Sequence, residues 1–428
     1  MCGKNFFVPV TSCFTLPKMI GRMKGLTGMA AQIVALTMAV SSCGLYEIGE
    51  VETDMLDGGI WGGPSDSADK TPDVVRRICY MTAFDYQKDY DWRADRSRES
   101  VKCSLIVYED GRAIMKVPVG EEYETGSDPD MHRVIRGHLY TDYSTSTETV
   151  VKKDGAQIFR YPGKEAMCGM AVSGTDVYTL GADRDGNGFT YRKNGEILLS
   201  RENAAVMGNL KQDDDSLSFT FCERILSSEE TVERYFAVMN GRVRQIAVRD
   251  DIVKVWDAVL CDGKEIYVAS LVGVGAPVIY RNGQMTTLSM PENARILSIT
   301  LLESRGALAV EALYSDGRDI CSAFWSDDLT LVSFPPGRIV SAMCLLNRGV
   351  CCVLNPESAM QSGLIYRSGD DFDMPGRYSC MSDRAICMVD GILNVGLASY
   401  DGKEPVLWKD GQTETLKING YISSITVE

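Results

Sequence analysis

From about residue 76 to the end, apolar and polar positions alternate in short runs, each cut off by Gly, Asn or Asp. Alternation at every second residue puts one face of an extended strand in a core and the other in water, and no stretch holds a helical period. YRKNGEILLS (191–200) shows the unit: an apolar run, Asn-Gly, and a second strand-like run. Asn-Gly predicts a two-residue hairpin turn with positive φ at both central residues.

Such tetrads recur as YEDG (108–111), KKDG (152–155), RKNG (192–195), VMNG (238–241), YRNG (280–283), WSDD (325–328), YRSG (366–369) and WKDG (408–411). Their last residues lie 44, 40, 46, 42, 45, 41 and 42 apart. WSDD lacks the glycine, which predicts a different turn type there. A second hairpin precedes the tetrad in most units, as in AVSGTDVYTLG (171–181), VLCDGKEIYVASL (259–271), LLESRGALAVEAL (301–313), CLLNRGVCCVL (344–354) and CMVDGILNVGL (387–397). Two hairpins make four strands in about 43 residues, the signature of a β-propeller blade.

The two ends of this region predict how the ring closes. YISSITVE (421–428) matches RILSITLLE (295–303), the first strand of a blade, and then the chain stops. Residues 77–117 offer three strands and lack a first one. Joining them removes two open sheet edges at once. The expectation is an all-β propeller over 76–428 with eight four-stranded blades, closed by the C-terminal strand. Seven blades is the runner-up, should the weakest unit, near 120–160, fall short of a full blade.

The repeats resemble those of propeller-type lipoproteins and exported proteins of Gram-negative bacteria, in which D-V-Y-V-A-G is followed by a variable loop and W-K-N-G. The nearest copies here are TDVYTLG with YRKNG, KEIYVAS with YRNG, and ILNVGLASYDGKEPVLWKDG. The resemblance implies the fold and no shared reaction. Kelch double glycines, the WD dipeptide pattern and the sialidase Asp box are all missing.

The first residues differ in kind. Positions 1–42 hold Lys4, Lys18, Arg22 and Lys24 and no acid, and run through LTGMAAQIVALTMAV (26–40) to VSSC (40–43). A basic start, a short apolar run and small residues are the parts of an export signal. V-S-S-C resembles the bacterial lipoprotein box, which implies cleavage before Cys43 and lipidation of that cysteine. An ordinary signal peptide is the alternative. The long basic segment points to Met19 or Met23 as the true start. Residues 43–75 are acidic, Gly-rich and without period, so they are expected to form a flexible tether with a reach of about 30 Å. This address is the outer membrane or cell surface, with a periplasm-facing domain as the variant. Glu47, Glu50, Glu52 and Asp54 lie just beyond Cys43, as in some surface-exported lipoproteins.

Charge narrows the partners. The formal net charge is -15, and losing the four basic leader residues would take it to -19. Nucleic acid and anionic membrane surfaces are therefore disfavoured. Fourteen cysteines show no zinc spacing, and most lie in apolar strands as small hydrophobes.

Four sets of residues carry candidate chemistry. YQKDYDWRADRSRES (86–100) mixes Tyr86, Tyr90, Trp92, Arg93, Arg96 and Arg98, types that bind proteins or glycans when desolvated; the competing reading is an insertion that packs on its own domain. DRDGNG (183–188) sets Asp183, Asp185 and Asn187 at the spacing of half a calcium loop, against a solvated turn-rich loop. Position twelve would be Asn194, already in a turn, so an EF-hand is excluded. His132 and His138, the only histidines, are read as two surface residues unless Arg136-Gly137 reverses the chain and brings them together. With so few histidines no Ser-His-Asp set can be argued. The favoured function is a lipid-anchored binding module for a protein or glycan; the alternative is a glycoside hydrolase or lyase with carboxylates in the central channel. A third reading is a structural module that assembles only with a partner.

Overall fold

The computed structural model describes residues 77–428, apart from 89, 93–102, 120–131, 145–146, 164, 184–187, 214–215, 227–230, 262, 274, 292, 305–306, 347–348, 357–361 and 368. The described chain is all strand and turn, with eight antiparallel sheets around one axis. It is an eight-bladed β-propeller.

Each blade runs outward from the axis in chain order. Blade 2 is typical, with His132–Ile135, His138–Ser144, Glu148–Lys153 and Ala156–Pro162. This is the unit near 120–160, and its full set of four strands decides for eight blades over seven. The other innermost strands are Gly420–Val427 in blade 1, Glu165–Ser173 in blade 3, Ile252–Cys261 in blade 5, Arg295–Ser304 in blade 6 and Arg338–Leu346 in blade 7. Blades 4 and 8 have theirs broken in two, as Ala204–Val206 with Lys211–Asp213, and as Tyr378–Ser379 with Ile386–Val389. Outermost strands such as Arg242–Gln245, Asp370–Asp373 and Gln412–Thr415 are exposed throughout. Their charged and polar side chains keep these open edges from pairing with other chains.

The ring closes as the termini predict. Gly420–Val427 pairs antiparallel with Cys79–Tyr86, from Cys79 opposite Val427 to Asp85 opposite Gly420. Tyr421, Ile422 and Ile425 are buried there, and Thr82 Oγ1 lies 3.0 Å from Ser423 Oγ and 2.6 Å from Ser424 Oγ. Gly420 has no room for a side chain, since a Cβ would collide with the Phe84 carbonyl.

The tetrads do more than turn the chain. Six have positive φ at both central residues: Asp110-Gly111, Asp154-Gly155, Asn194-Gly195, Asn240-Gly241, Asn282-Gly283 and Asp410-Gly411. In WSDD the positive φ falls on Leu329 instead, a different turn as the missing glycine predicts. In five tetrads the Asp or Asn Oδ1 also accepts a hydrogen bond from the second strand of the same blade: from the amides of Cys79 (3.1 Å), Leu139 (2.8 Å), Val177 (2.9 Å), Leu217 (2.8 Å) and Leu393 (3.1 Å). One side chain thereby supports a left-handed backbone and ties the outer hairpin to its neighbour.

The described turns that join a first strand to a second, or a third to a fourth, lie on one face of the disc, which we call the turn face; the opposite ends of the strands lie on the other face, which we call the loop face. Residue 77 enters on the turn face. Its neighbour Ile78 exchanges backbone hydrogen bonds of 2.8 and 3.0 Å with Glu428, and the Glu428 carboxylate accepts from Arg136 in the first turn of blade 2.

Candidate functional site: the propeller axis

An innermost strand has a ladder partner on one side only, so its inward amides and carbonyls need other partners. Side chains from neighbouring blades provide them. The Leu301 amide donates to Asp257 Oδ2 on the innermost strand of blade 5 at 2.8 Å; near the start of their own strands, Val340 donates to Ser322 Oγ and Glu165 to Thr149 Oγ1, both at 3.1 Å and both on the third strand of the preceding blade. Gln212 both accepts from the Val172 amide (3.3 Å) and donates to its carbonyl (2.9 Å). Five innermost strands carry a register shift, at Cys168, Trp256, Leu297, Ser341 and Ser423. Each bulge twists the strand and re-aims the residue after it. In blade 5 that residue is Asp257.

Blades 4 and 8 stand opposite one another, and their broken strands bring charges to the axis. Lys211, after the break in blade 4, reaches past blade 5 to Glu303 of blade 6, Nζ to Oε2 3.1 Å. Arg384, in the break of blade 8, reaches past blade 1 and donates from Nη1 to the His132 carbonyl of blade 2 at 3.1 Å. That break is pinned at its start by Asn355, which bonds the Cys380 carbonyl (2.7 Å) and amide (2.9 Å). It is also held to blade 1 by Ser382 Oγ on the Ser423 carbonyl (2.7 Å) and by the Ile425 amide on the Arg384 carbonyl (2.9 Å).

Two carboxyls near this network are held far above their usual range. Burial pushes Asp257 up to about 7, against the pull of its bonds from the Leu301 and Ala258 amides and of the Lys211 ammonium. Burial likewise pushes Glu311, on the second strand of blade 6, up to about 7, and the Asp383 carboxylate adds to it. His132 is driven the other way, to about 3, by burial and then by the Arg384 guanidinium, so its ring is neutral. Neither of its ring nitrogens has a partner among the described residues. The axis thus holds acids and bases, but they mostly brace one blade against the next but one.

The predicted site residues fare unevenly. Tyr86 and Trp92 are buried, and the part-buried Tyr90 packs against the same cluster. Trp92 stacks on Tyr86 (centroids 6.1 Å apart) and packs on Tyr421 of the closing strand (5.2 Å). Tyr86 and Trp92 are therefore core residues of the closure and present no face to a ligand, because the segment after Tyr86 folds back over the seam, while Tyr90 keeps part of its surface exposed. Arg93, Arg96 and Arg98 lie outside the described residues, as do Cys43, Asp185 and Asn187. Asp183 is exposed at the end of its strand, and no cluster of three metal-ligating side chains exists among the described residues. The histidines are not two surface residues. Arg136-Gly137 does reverse the chain, but His132 lies opposite Thr141, three positions from His138, which puts the rings on opposite faces. His138 is exposed and bonds Asp154 Oδ2 at 2.7 Å, while His132 is buried against Phe84.

Lys211, Asp257, Glu303 and Arg384 at the axis, and Glu311 on the second strand of blade 6, were not singled out from the sequence. The available signal was an acid inside an otherwise apolar strand, as in VWDAVL and AVEALY.

No protein family and no curated protein matches the sequence. Among solved structures, the chain is similar to a prolyl endopeptidase (10% identity, 70% of this chain and 49% of that one, TM-score 0.40). It is also similar to the β-propeller domain of the Trilobed protease from Pyrococcus furiosus (8%, 70% and 92%, 0.42) and to TolB from Acinetobacter baumannii (10%, 68% and 81%, 0.31). The chain thus spans about half the length of the prolyl endopeptidase. At these identities and TM-scores the likenesses bear on neither ligand nor activity.

Proposed function

We propose that the protein is a lipid-anchored binding propeller of the cell envelope, held through Cys43 and presenting its loop face to a protein or glycan. The observation that supports it most is where the chain enters. Residue 77 joins the ring on the turn face, beside Arg136 and Glu428. A tether from a lipidated Cys43 would approach from that side and leave the loop face turned away from the bilayer. Loops on a rigid scaffold are the usual place for recognition. The paired charges at the axis favour binding over turnover, since Glu303 is engaged by Lys211 and Asp257 by two amides.

The test is fractionation and protease shaving of cells making the full chain or Cys43→Ser. The wild type should partition with membranes and be cut from intact cells, and the variant should be released to the soluble fraction. A wild-type chain found in the soluble fraction overturns the anchor; one protected from protease in intact cells overturns surface display.

The glycan-active enzyme remains as the second reading, favoured by one observation. Asp257 and Glu311 both sit near neutrality, where a carboxyl can serve as a general acid. Hydrolysis of a glycan panel by wild type, abolished in both Asp257→Asn and Glu311→Gln, would move the protein into that class.

A further inference from the structure

Blade 7 contains a chemical pair that the axial network does not use. Its first two strands, Arg338–Leu346 and Gly349–Pro356, pair so that Cys344 stands directly opposite Cys351. It is the one pair of cysteines facing each other in the described ladders. Both side chains point into the same apolar cluster between blades 7 and 8 and are fully buried, with Cys380 and Cys387 in that cluster too. The Cys344 thiol shares a hydrogen bond with Cys351, which, with burial, holds it well above its usual range. The neighbouring Cys352 points to the other face of the sheet, into a separate cluster. Directly opposed residues of an antiparallel ladder have Cα atoms about 4.5–5.5 Å apart. That separation falls within the span a disulfide bridges without backbone movement.

We propose that Cys344 and Cys351 form a cross-strand disulfide when the chain folds in the presence of a small disulfide oxidant. One thiolate attacks the oxidant, releases one of its halves as a thiol and forms a mixed disulfide. The second thiolate then displaces the other half. Two S–H bonds and the oxidant's S–S bond break, one protein S–S bond forms, and two thiols leave with the two protons and two electrons. Folding is the stage at which this happens, because in the native ring both sulfurs are closed to solvent and become reachable only by local opening. The bond would fix the register of the innermost strand of blade 7, next to the broken innermost strand of blade 8. Export would supply an oxidising compartment, but the pairing follows from the ladder alone and is tested without reference to location.

The full chain is unfolded under reductant and refolded with a reduced and oxidised glutathione couple. Remaining thiols are then blocked and the tryptic peptides sequenced by mass spectrometry. The expected product links IVSAMCLLNR (339–348) to GVCCVLNPESAMQSGLIYR (349–367) through Cys351, with the loss of two hydrogens. The same link should persist in Cys352→Ala and vanish in Cys351→Ala. Refolded wild type should also melt above the same preparation after reduction. A folded wild type with both thiols still blocked as free, or with Cys344 linked to Cys352 or Cys387, overturns the proposal. Mapping in wild type and Cys352→Ala suffices even if Cys351→Ala fails to fold.

Discussion

Removing the last nine residues, so that the chain stops at Asn419, tests the closure directly. The deleted strand makes seven residue pairs with Cys79–Tyr86 and buries Tyr421, Ile422 and Ile425 at 5%, 1% and 2% exposure. Burying such a side chain contributes about 1.5–3 kcal/mol, so the three together stabilise by about 6 kcal/mol. Phe84 and Trp92, which pack on Tyr421, would lose that cover as well. Whole domains are stable by only about 5–15 kcal/mol, so the truncated ring should be marginal or unfolded. Urea unfolding followed by fluorescence should show a lower midpoint, or no folded baseline. A synthetic GYISSITVE peptide added in trans should restore the transition in a concentration-dependent way, because it re-forms the missing edge. An unchanged midpoint in the truncated chain would mean that the seam contributes nothing to stability.

Further expectations follow from particular groups. Arg192 and Glu165 form a buried bidentate pair (2.7 and 2.6 Å) beneath Tyr161. Arg192→Met should cost about 3–5 kcal/mol by stranding the carboxylate, and Glu165→Met on the same chain should recover much of it, read in a double-mutant cycle by chemical denaturation. Asp257 has its folded pKa raised to about 7 from an ordinary 3.8, so between those values the folded state binds more protons than the unfolded one. Its contribution to stability is therefore present at low pH and lost as pH rises through about 7, by up to about 4 kcal/mol. Thermal melts from acid to neutral pH should show this decline, and Asp257→Asn should flatten it. A melting curve that rises through the same window in wild type and variant alike would mean that burial does not dominate at Asp257. Lys211→Ala removes the cation that lowers Asp257, so the decline should extend to higher pH, with about 1–3 kcal/mol lost at Glu303.

Much of the fold was legible in the sequence because blades are local. The Asn-Gly and Asp-Gly tetrads mark hairpins whose strands are near neighbours along the chain, and their spacing sets the number of blades. The orphan first strand at 421–428 was equally legible, because an unpaired strand at one end implies a missing one at the other. The candidate site was less so. Trp92 and Tyr86 have the composition of a binding loop, yet the ring closure supplies Tyr421 as a partner for Trp92 from more than three hundred residues away, and Tyr86 stacks on Trp92 in turn. The recurring turn Asp or Asn was predicted for its φ, while its bond to the second strand depends on how the outer hairpin lies against that strand.

Periodicity and turn chemistry act over a few residues, so the pattern along the chain was enough for an all-β ring and the strand that shuts it, with eight blades favoured over seven; the four complete strands of blade 2 fixed the count. Which charges meet at the axis depends on how the eight sheets pack around it. Lys211 meets Glu303, and Arg384 meets His132, across intervening blades because two opposite innermost strands break and bulges re-aim their neighbours. No local pattern encodes a contact that exists only once all eight sheets have closed around a common centre.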